Sequence, residues 1–289
     1  MKISELSEKV SLLLSDTEDG GFDGMCILED IGGITRERAA LHPDDELHDS
    51  ICARVIEAAN KRKIGYPLQY ILGQWEFYGL RFRVGEGVLI PRPDTEALAE
   101  EAIGRIKKRG ADSPRIIDLC SGSGCIAVTL AKLIEGSEVF AVELSGEAFP
   151  YLTDNIRSND ARVTVIRGDI SDGRLLDNFR DEDGEIFPVD CIVSNPPYLT
   201  SEEMAELQTE VEFEPEIALF GGNDGLKFYR IITCLWKELL TEGGLLIFEI
   251  GNDQESAVTD ILINEGFGDI FTAPDATGAI RVVGGYYLG

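Results

Sequence analysis

The residues best suited to chemistry are Asn195-Pro196-Pro197-Tyr198. They follow Cys191-Ile192-Val193, an apolar run of the kind that forms a buried strand. A residue before proline is pushed to extended backbone, and each proline fixes its own φ and has no N–H to donate. Asn195 therefore ends the strand rigidly, with its side-chain oxygen and the Pro196 carbonyl as acceptors. Two converging acceptors suit a planar –NH2 group, because each takes one N–H. A nitrogen held in this way turns its π face toward the sulfonium methyl of a neighbouring cofactor, and Tyr198 can stack on the flat group. Such a nitrogen is a poor nucleophile, so positioning and exclusion of water must supply much of the acceleration. No histidine base is required, which suits a chain whose only histidines are His42 and His48.

A second constellation lies upstream. In "DLCSGSGCIAVTLA" a strand end runs into Cys120, Ser121, Gly122, Ser123 and Gly124 and then into a helix. Glycines at such a turn let backbone approach a ligand, and the helix start offers free N–H groups. About twenty residues on, Glu143 ends "FAVEL", where a carboxylate can accept both hydroxyls of a ribose. Asp169, in "RGDIS", stands at the tip of the next strand and could meet an adenine amino group; such a pair is also a common turn. Up to this point a dinucleotide and S-adenosylmethionine fit equally well, and Asn195–Tyr198 on the fourth strand favours the latter. By itself the tetrapeptide could be a stiff loop; its place after the glycine turn and the acid gives it a chemical reading.

These residues need a sheet to align them. Strands are predicted at 115–119, 138–144, 162–168, 190–195 and 244–251, with helices at 124–134, 146–157, 225–240 and 254–265. That alternation implies an α/β fold with a mostly parallel sheet covered on both faces. The tail "AIRVVGGYYLG" reads as a last strand added at an edge. Residues 1–72 read as helical, with Ile3, Leu6, Val10 and Leu13 at helical spacing and Asp44 or Asp45 as a cap for a helix through Ile51 and Val55. The alternating stretch "FYGLRFRV" predicts a strand pair. The expected domains are 1–84, helical with the hairpin as linker, and 85–289.

Composition narrows the function. The chain has 289 residues and 44% hydrophobic content, enough for a real core. No apolar run approaches the roughly 20 residues of a membrane helix, and the N-terminus lacks a secretory pattern. The six cysteines form no CxxC pair and read as reduced thiols of a cytoplasmic protein. With two histidines there is little material for a metal site, so none is expected. The net charge is −27, and it is concentrated beyond residue 84, where 38 Asp+Glu face 16 Lys+Arg. Such a surface repels phosphate backbones and favours a basic protein partner, although solubility or salt adaptation would also account for it.

With these motifs in hand, the chain resembles the HemK/PrmC family of S-adenosylmethionine-dependent methyltransferases. The resemblance runs from about residue 65 to the end, through "PLQYILGQWEFYGLRFRV", "VLIPRPDTEALAE", "DLCSGSGCIA", "VSNPPYL", "FEPEIALFGGNDGLKFYRII" and "FEIGNDQ". The family methylates the glutamine amide of the Gly-Gly-Gln motif in peptide chain release factors. The resemblance implies a Rossmann-like class I fold with a seven-stranded sheet behind a small helical bundle that recognises the substrate. It implies a monomer that acts on release factors and not directly on nucleic acid or membrane, leaving S-adenosylhomocysteine as by-product. By motif, Cys120–Gly124, Glu143, Asp169, Ile170 and Asn195 hold the cofactor, and Asn195, Pro196, Pro197 and Tyr198 hold the amide.

Three departures stand out. Cys120 occupies a place where many members have glycine, an exchange without cost if its φ is negative. Glu143 replaces the more usual aspartate, and Ile170 stands where some members have an aromatic. Two further features carry expectations: "IPRPDTE" (90–96) reads as a turn into a helix capped by Asp94 or Thr95 and bordering the cofactor pocket. The segment 201–216 holds seven glutamates and no basic residue, and would help to receive a basic loop of the partner. The competing readings are a glutamine methyltransferase of a ribosomal protein and an adenine-N6 nucleic-acid methyltransferase.

Overall fold

A computed structural model describes every residue except Glu182. It divides into two compact units: Met1–Gln74 with Gln208–Phe213, and Trp75–Leu207 with Glu214–Gly289.

The smaller unit is helical. Its helices are α1 (Ile3–Leu13), α2 (Gly20–Cys26), α3 (Arg36–Leu41), α4 (Asp49–Lys63) and α5 (Leu68–Leu72). Ile3, Leu6, Val10, Leu14, Ile27, Val55 and Ala59 form its apolar interior, so Leu14 fills the place expected of Leu13. Helix α4 starts later than predicted and is capped by His48, whose ring nitrogen accepts from Ser50 N, and not by Asp44 or Asp45. Arg62, near its end, is buried. The guanidinium pairs with Asp23 through Nε at 2.5 Å and with Glu210 through a terminal nitrogen at 2.5 Å. A buried cation requires such partners, because desolvation is otherwise prohibitive.

The larger unit opens with a hairpin, β1 (Gln74–Phe77) and β2 (Leu80–Arg83). Its two turn residues, Tyr78 and Gly79, both have positive φ (53° and 74°), the geometry whose twist matches the flanking strands. Phe77 and Phe82 are buried in the core of this unit, so the hairpin packs with the larger body although it was predicted with the N-terminal side.

The remaining elements, which alternate as predicted from β3 to β7 apart from the added short α9, are α6 (Pro93–Arg109), β3 (Arg115–Leu119), α7 (Cys125–Leu133), β4 (Glu138–Glu143), α8 (Phe149–Ser158), β5 (Val163–Arg167), β6 (Val189–Ser194), the short α9 (Ser201–Met204), α10 (Lys227–Leu235), β7 (Leu240–Glu249), α11 (Glu255–Asn264), β8 (Phe267–Pro274) and β9 (Ile280–Tyr287). The seven-stranded sheet has the order β5-β4-β3-β6-β7-β9-β8. Strands β3 to β7 pair in parallel, and β9 runs antiparallel to both of its neighbours.

The tail strand is therefore not at the edge. It lies between β7 and β8, a strand hidden in the sequence because Gly268, Asp269 and the closing Pro274 read as loop. Asp269 sits at φ 45° where the β8–β9 register shifts, as a bulge requires.

The register fixes the functional edge. Leu119 pairs with Val142 on one side and Ser194 on the other, and Ser194 pairs with Phe248. The next residue on each of these strands (Glu143, Cys120, Asn195, Glu249) thus falls in one row across the carboxyl ends. Ser194 Oγ donates to the Leu119 carbonyl at 2.6 Å and ties the two central strands at that level.

Glycines on β9 let the last strands close. A Cβ at Gly284 would run into the Phe271 ring and stand 3.0 Å from the Leu246 carbonyl oxygen. Gly284→Val is expected to cost about 2 kcal/mol by overpacking, seen as a lower urea midpoint with an unchanged slope. An unchanged midpoint would contradict the packing described.

Candidate active site

A single cavity gathers most of the predicted residues. Cys120, Ser121, Gly122, Ser123, Glu143, Asp169, Ile170, Asn195 and Pro197 line it, together with Val88, Ile90, Arg92 and Thr95 from the approach to α6 and its first turn. Gly124, Pro196 and Tyr198 lie outside this lining.

The glycine turn is built from left-handed backbone. Gly122 and Gly124 have φ of 53° and 80°, and so does Cys120, at 62°. The condition under which Cys120 would replace glycine without cost, a negative φ, is therefore not met. A side chain in this region costs about 1–2 kcal/mol, and the chain must turn there because β3 ends and α7 must start beneath the strand. At Gly122 an added Cβ would meet nothing, so that face is open to the cavity, whereas at Gly124 it would stand 2.5 Å from Leu152 Cδ1. Gly124 serves helix packing, and Gly122 offers backbone to a ligand. Ser121 Oγ donates to the Asp118 carbonyl at 2.8 Å, and the Ser123 carbonyl accepts from the buried Asn155 amide at 2.9 Å.

Glu143 is buried at the tip of β4. Its carboxylate accepts from Gly122 N at 2.7 Å and from Ser145 N at 2.6 Å. Burial raises its pKa, and the N–H groups of Ser145, Gly122 and Leu144 pull it back down. Each oxygen keeps lone-pair capacity for a further donor. Asp169 is more exposed, and its Oδ1 accepts from Ser171 N and Oγ at 2.9 and 2.7 Å. Ile170 is held by its carbonyl, which accepts from Trp236 Nε1 at 2.8 Å. Trp236 is fully buried, and nothing in its sequence context links it to the site.

Asn195 extends from β6 into the cavity lining, with Nδ2 donating to Thr95 Oγ1 at 3.2 Å. Thr95 does not cap α6, and neither does Asp94. The helix starts at Pro93 with Arg92 in the cap position, since proline's fixed φ and missing N–H suit a first helical residue. The prediction that "IPRPDTE" borders the pocket corresponds to Ile90, Pro91, Arg92 and Thr95 in the lining.

Tyr198 is fastened at both ends by "FEIGNDQ". Its hydroxyl donates to Glu249 Oε1 at 3.3 Å, and its carbonyl accepts from Gln254 Nε2 at 3.0 Å. Gln254 Oε1 in turn accepts from Gly251 N at 2.9 Å. The buried Tyr229 hydroxyl lies between the Glu249 carbonyl and Gln254 Oε1.

The acidic segment 201–216 is divided in use. Thr200 caps α9 in a capping box with Glu203. Glu210 is the partner of Arg62 in the smaller unit. Glu214 is buried in the larger one, where it accepts from Ile90 N at 2.9 Å and pairs with Arg92. At least two of the seven glutamates therefore hold the chain's own cations, and the segment is not a uniform solvent-facing face.

The cavity fits S-adenosylmethionine by its donor set. An acid at the tip of the second parallel strand suits a ribose diol, while Val142, Ile170, Ala148 and Ile126 supply apolar walls for a flat base. The open cradle at Gly122 admits a ligand against backbone, and the nearby carboxylates suit a sulfonium cation.

The chain is similar to known methyltransferases. Residues 5–73 match the PrmC N-terminal domain and residues 79–183 the TRM5/TYW2 methyltransferase domain. The release factor glutamine methyltransferase of Clostridium acetobutylicum is 36% identical over 288 residues, covering 98% of each chain. That of Geobacter sulfurreducens is 43% identical, covering 81% of this chain and 77% of its own. Among solved structures, the catalytic domain of hMettl16 in complex with a MAT2A 3′UTR hairpin superposes with a TM-score of 0.55 at 16% identity, covering 83% of this chain and 82% of that one. A methyltransferase from Pyrococcus furiosus gives 0.50 at 16% identity, covering 84% and 100%. These two likenesses carry the fold, a class I methyltransferase sheet. No helix among the described residues is long and apolar enough to cross a membrane.

Asp118, beneath the turn, is fully buried, with Oδ2 accepting from Ala127 N at 3.1 Å and Oδ1 without a partner. Burial pushes its carboxyl up to about 8, from an ordinary 3.8. Between these values the native chain holds a proton that the unfolded chain has released, so this group lowers stability as pH rises across that window. Asp118→Asn removes the titration. The melting temperature of the variant relative to the wild type is expected to climb between pH 5 and pH 8, by scanning calorimetry. A difference independent of pH would contradict the assignment.

Proposed function

The chain belongs to the release factor glutamine methyltransferase family, and on that premise we propose that it transfers a methyl group from S-adenosylmethionine to the side-chain amide nitrogen of the glutamine in the Gly-Gly-Gln motif of class 1 peptide chain release factors. The observation that carries this reading is the row at the carboxyl edge. Asn195 enters the same cavity as Glu143 and the Cys120–Gly124 turn, so an amide acceptor and a ribose acid face one space.

When bound, S-adenosylmethionine supplies an electrophilic methyl on a sulfonium sulfur. Glu143 would take the ribose hydroxyls on the lone pairs left by Gly122 N and Ser145 N. Cys120–Gly124 would lie along the methionyl part, and Ile170 would cover the base beside Asp169. Asn195 Oδ1 and the Pro196 carbonyl would accept the two N–H groups of the glutamine amide. Pro197 walls that space, and Tyr198, tied to Glu249 and Gln254, fixes the loop's far end. The reaction replaces one N–H by N–CH3 and releases a proton. Fixed acceptors and excluded water lower the barrier without a dedicated strong base.

The helical unit is the natural reader of the protein substrate, leaving the sheet edge for the amide. We further propose a monomer that works in the cytoplasm without direct contact with nucleic acid. The net charge of −27 weighs against an adenine in a nucleic acid as the methyl acceptor.

The reading is tested with labelled S-adenosylmethionine, purified release factor, its glutamine-to-alanine variant and bulk DNA. Label on the wild-type factor alone is expected. Asn195→Ala should lower kcat by about 10²-fold or more and shift cofactor affinity far less. Label on DNA and none on release factor would overturn the proposal.

A further inference from the structure

Of the described residues that line the cavity, Arg92 is the sole cation. Its backbone is set by the start of α6, where it holds the cap position ahead of Pro93. Its side chain is set by Glu214: a terminal guanidinium nitrogen pairs with Glu214 Oε1. The Glu214 side chain is 1% exposed, and its other oxygen accepts from Ile90 N at 2.9 Å. A buried carboxylate held from two directions is a firm anchor. A guanidinium has five N–H donors, and the bond to Glu214 takes one of them.

S-adenosylmethionine ends in an ammonium and a carboxylate. Once that carboxylate leaves bulk water it needs donors from the protein. The glycine turn has spent several of its own. Gly122 N donates to Glu143 at 2.7 Å, Gly124 N to the Ser121 carbonyl at 2.7 Å, and Ala127 N, in the first turn of α7, to Asp118 at 3.1 Å. The carboxylates of Glu143 and Asp169 line the same cavity and disfavour a third anion beside them. The turn therefore suits the ammonium and the apolar chain of the methionyl part, and the carboxylate has to find its partner elsewhere.

We propose that Arg92, anchored by Glu214, binds the α-carboxylate of S-adenosylmethionine, and that the cavity thereby selects the intact amino-acid end of the cofactor over a decarboxylated one. This inference rests on the reading of the cavity as the S-adenosylmethionine site. A planar guanidinium matches a carboxylate in shape as well as charge. Arg92 and Thr95 also bring the N-terminal end of α6 into the lining, and a helix of 17 residues presents positive potential at that end.

Dissociation constants from titration calorimetry test this without turnover. The wild type should bind S-adenosylmethionine about 10- to 100-fold more tightly than decarboxylated S-adenosylmethionine, which differs only by the missing carboxylate. Arg92→Met should bring the two affinities within about threefold of each other by weakening S-adenosylmethionine alone. That variant leaves the Glu214 carboxylate buried without the guanidinium, which can prevent folding. Arg92→Met combined with Glu214→Gln removes both charges and should show the same convergence. A folded variant that keeps the wild-type preference overturns the inference, because the carboxylate would then be held by another group.

A second measurement needs the wild type alone. The Arg92 Nε–H resonance should shift when S-adenosylmethionine binds and hold its position with the decarboxylated ligand; an equal response to both overturns the inference even if no variant folds. Equal affinity of the wild type for the two ligands also overturns it, and leaves the functional reading standing. A wild type that binds neither ligand sinks that reading and the inference with it.

Discussion

The parallel register of the central strands is the constraint on which the site depends. Because Leu119, Val142, Ser194 and Phe248 stand level, the next residue on each strand emerges at one height. Neighbouring strands lie about 4.8 Å apart, so Glu143, Cys120, Asn195 and Glu249 form a row without any loop having to place them. A slip of one residue on any strand would turn its member of the row to the opposite face. The Ser194–Leu119 hydrogen bond fixes the level where β6 meets β3, and burial on both faces makes the register costly to change.

The row is held at a cost in stability. Asp118, Glu143 and Glu249 are acids with little or no exposure, and burial raises the pKa of all three. Cys120 adds a left-handed backbone. Such features persist only where surrounding structure over-determines them. Here the overdetermination is visible: Glu143 is gripped by two backbone N–H groups, Tyr198 by the side chains of Glu249 and Gln254, and Glu214 by Ile90 N and Arg92. Of these, Glu143 and Cys120 line the cavity, and a ligand that binds there only in the folded state offsets their cost.

Local order made much of this legible in the sequence. The strand cores, the glycine turn, Glu143 and Asn195–Tyr198 are contiguous patterns, and the alternation of strand and helix set their common edge. The parts that were not legible depend on non-local pairing. Strand β8 carries Gly268, Asp269 and Pro274, and only its pairing with β9, from Tyr287 to Ile280, makes it a strand. Thr95 read as a helix cap because threonine near a helix start usually is one. Its hydroxyl instead meets a side chain a hundred residues away. The acidic segment read as one surface because charge along a chain does not reveal which carboxylates find a buried guanidinium. Cys120 could not be assigned a φ without the turn around it.

The electrostatics of the row suit the proposed chemistry at both ends. A cationic sulfonium is favoured near carboxylates, and the proposed acceptor is a neutral amide, which those same carboxylates do not repel. An amine substrate would be drawn in as a cation, with no free electron pair. Neutral acceptors such as Asn195 Oδ1 and the Pro196 carbonyl select instead for a group with two N–H donors and no charge. That selection requires the Asn195 amide to point one way, and the Asn195 amide is nearly symmetric in shape. Sterics alone cannot orient it. Only a hydrogen-bond partner can, and Asn195 Nδ2 has one in Thr95 Oγ1.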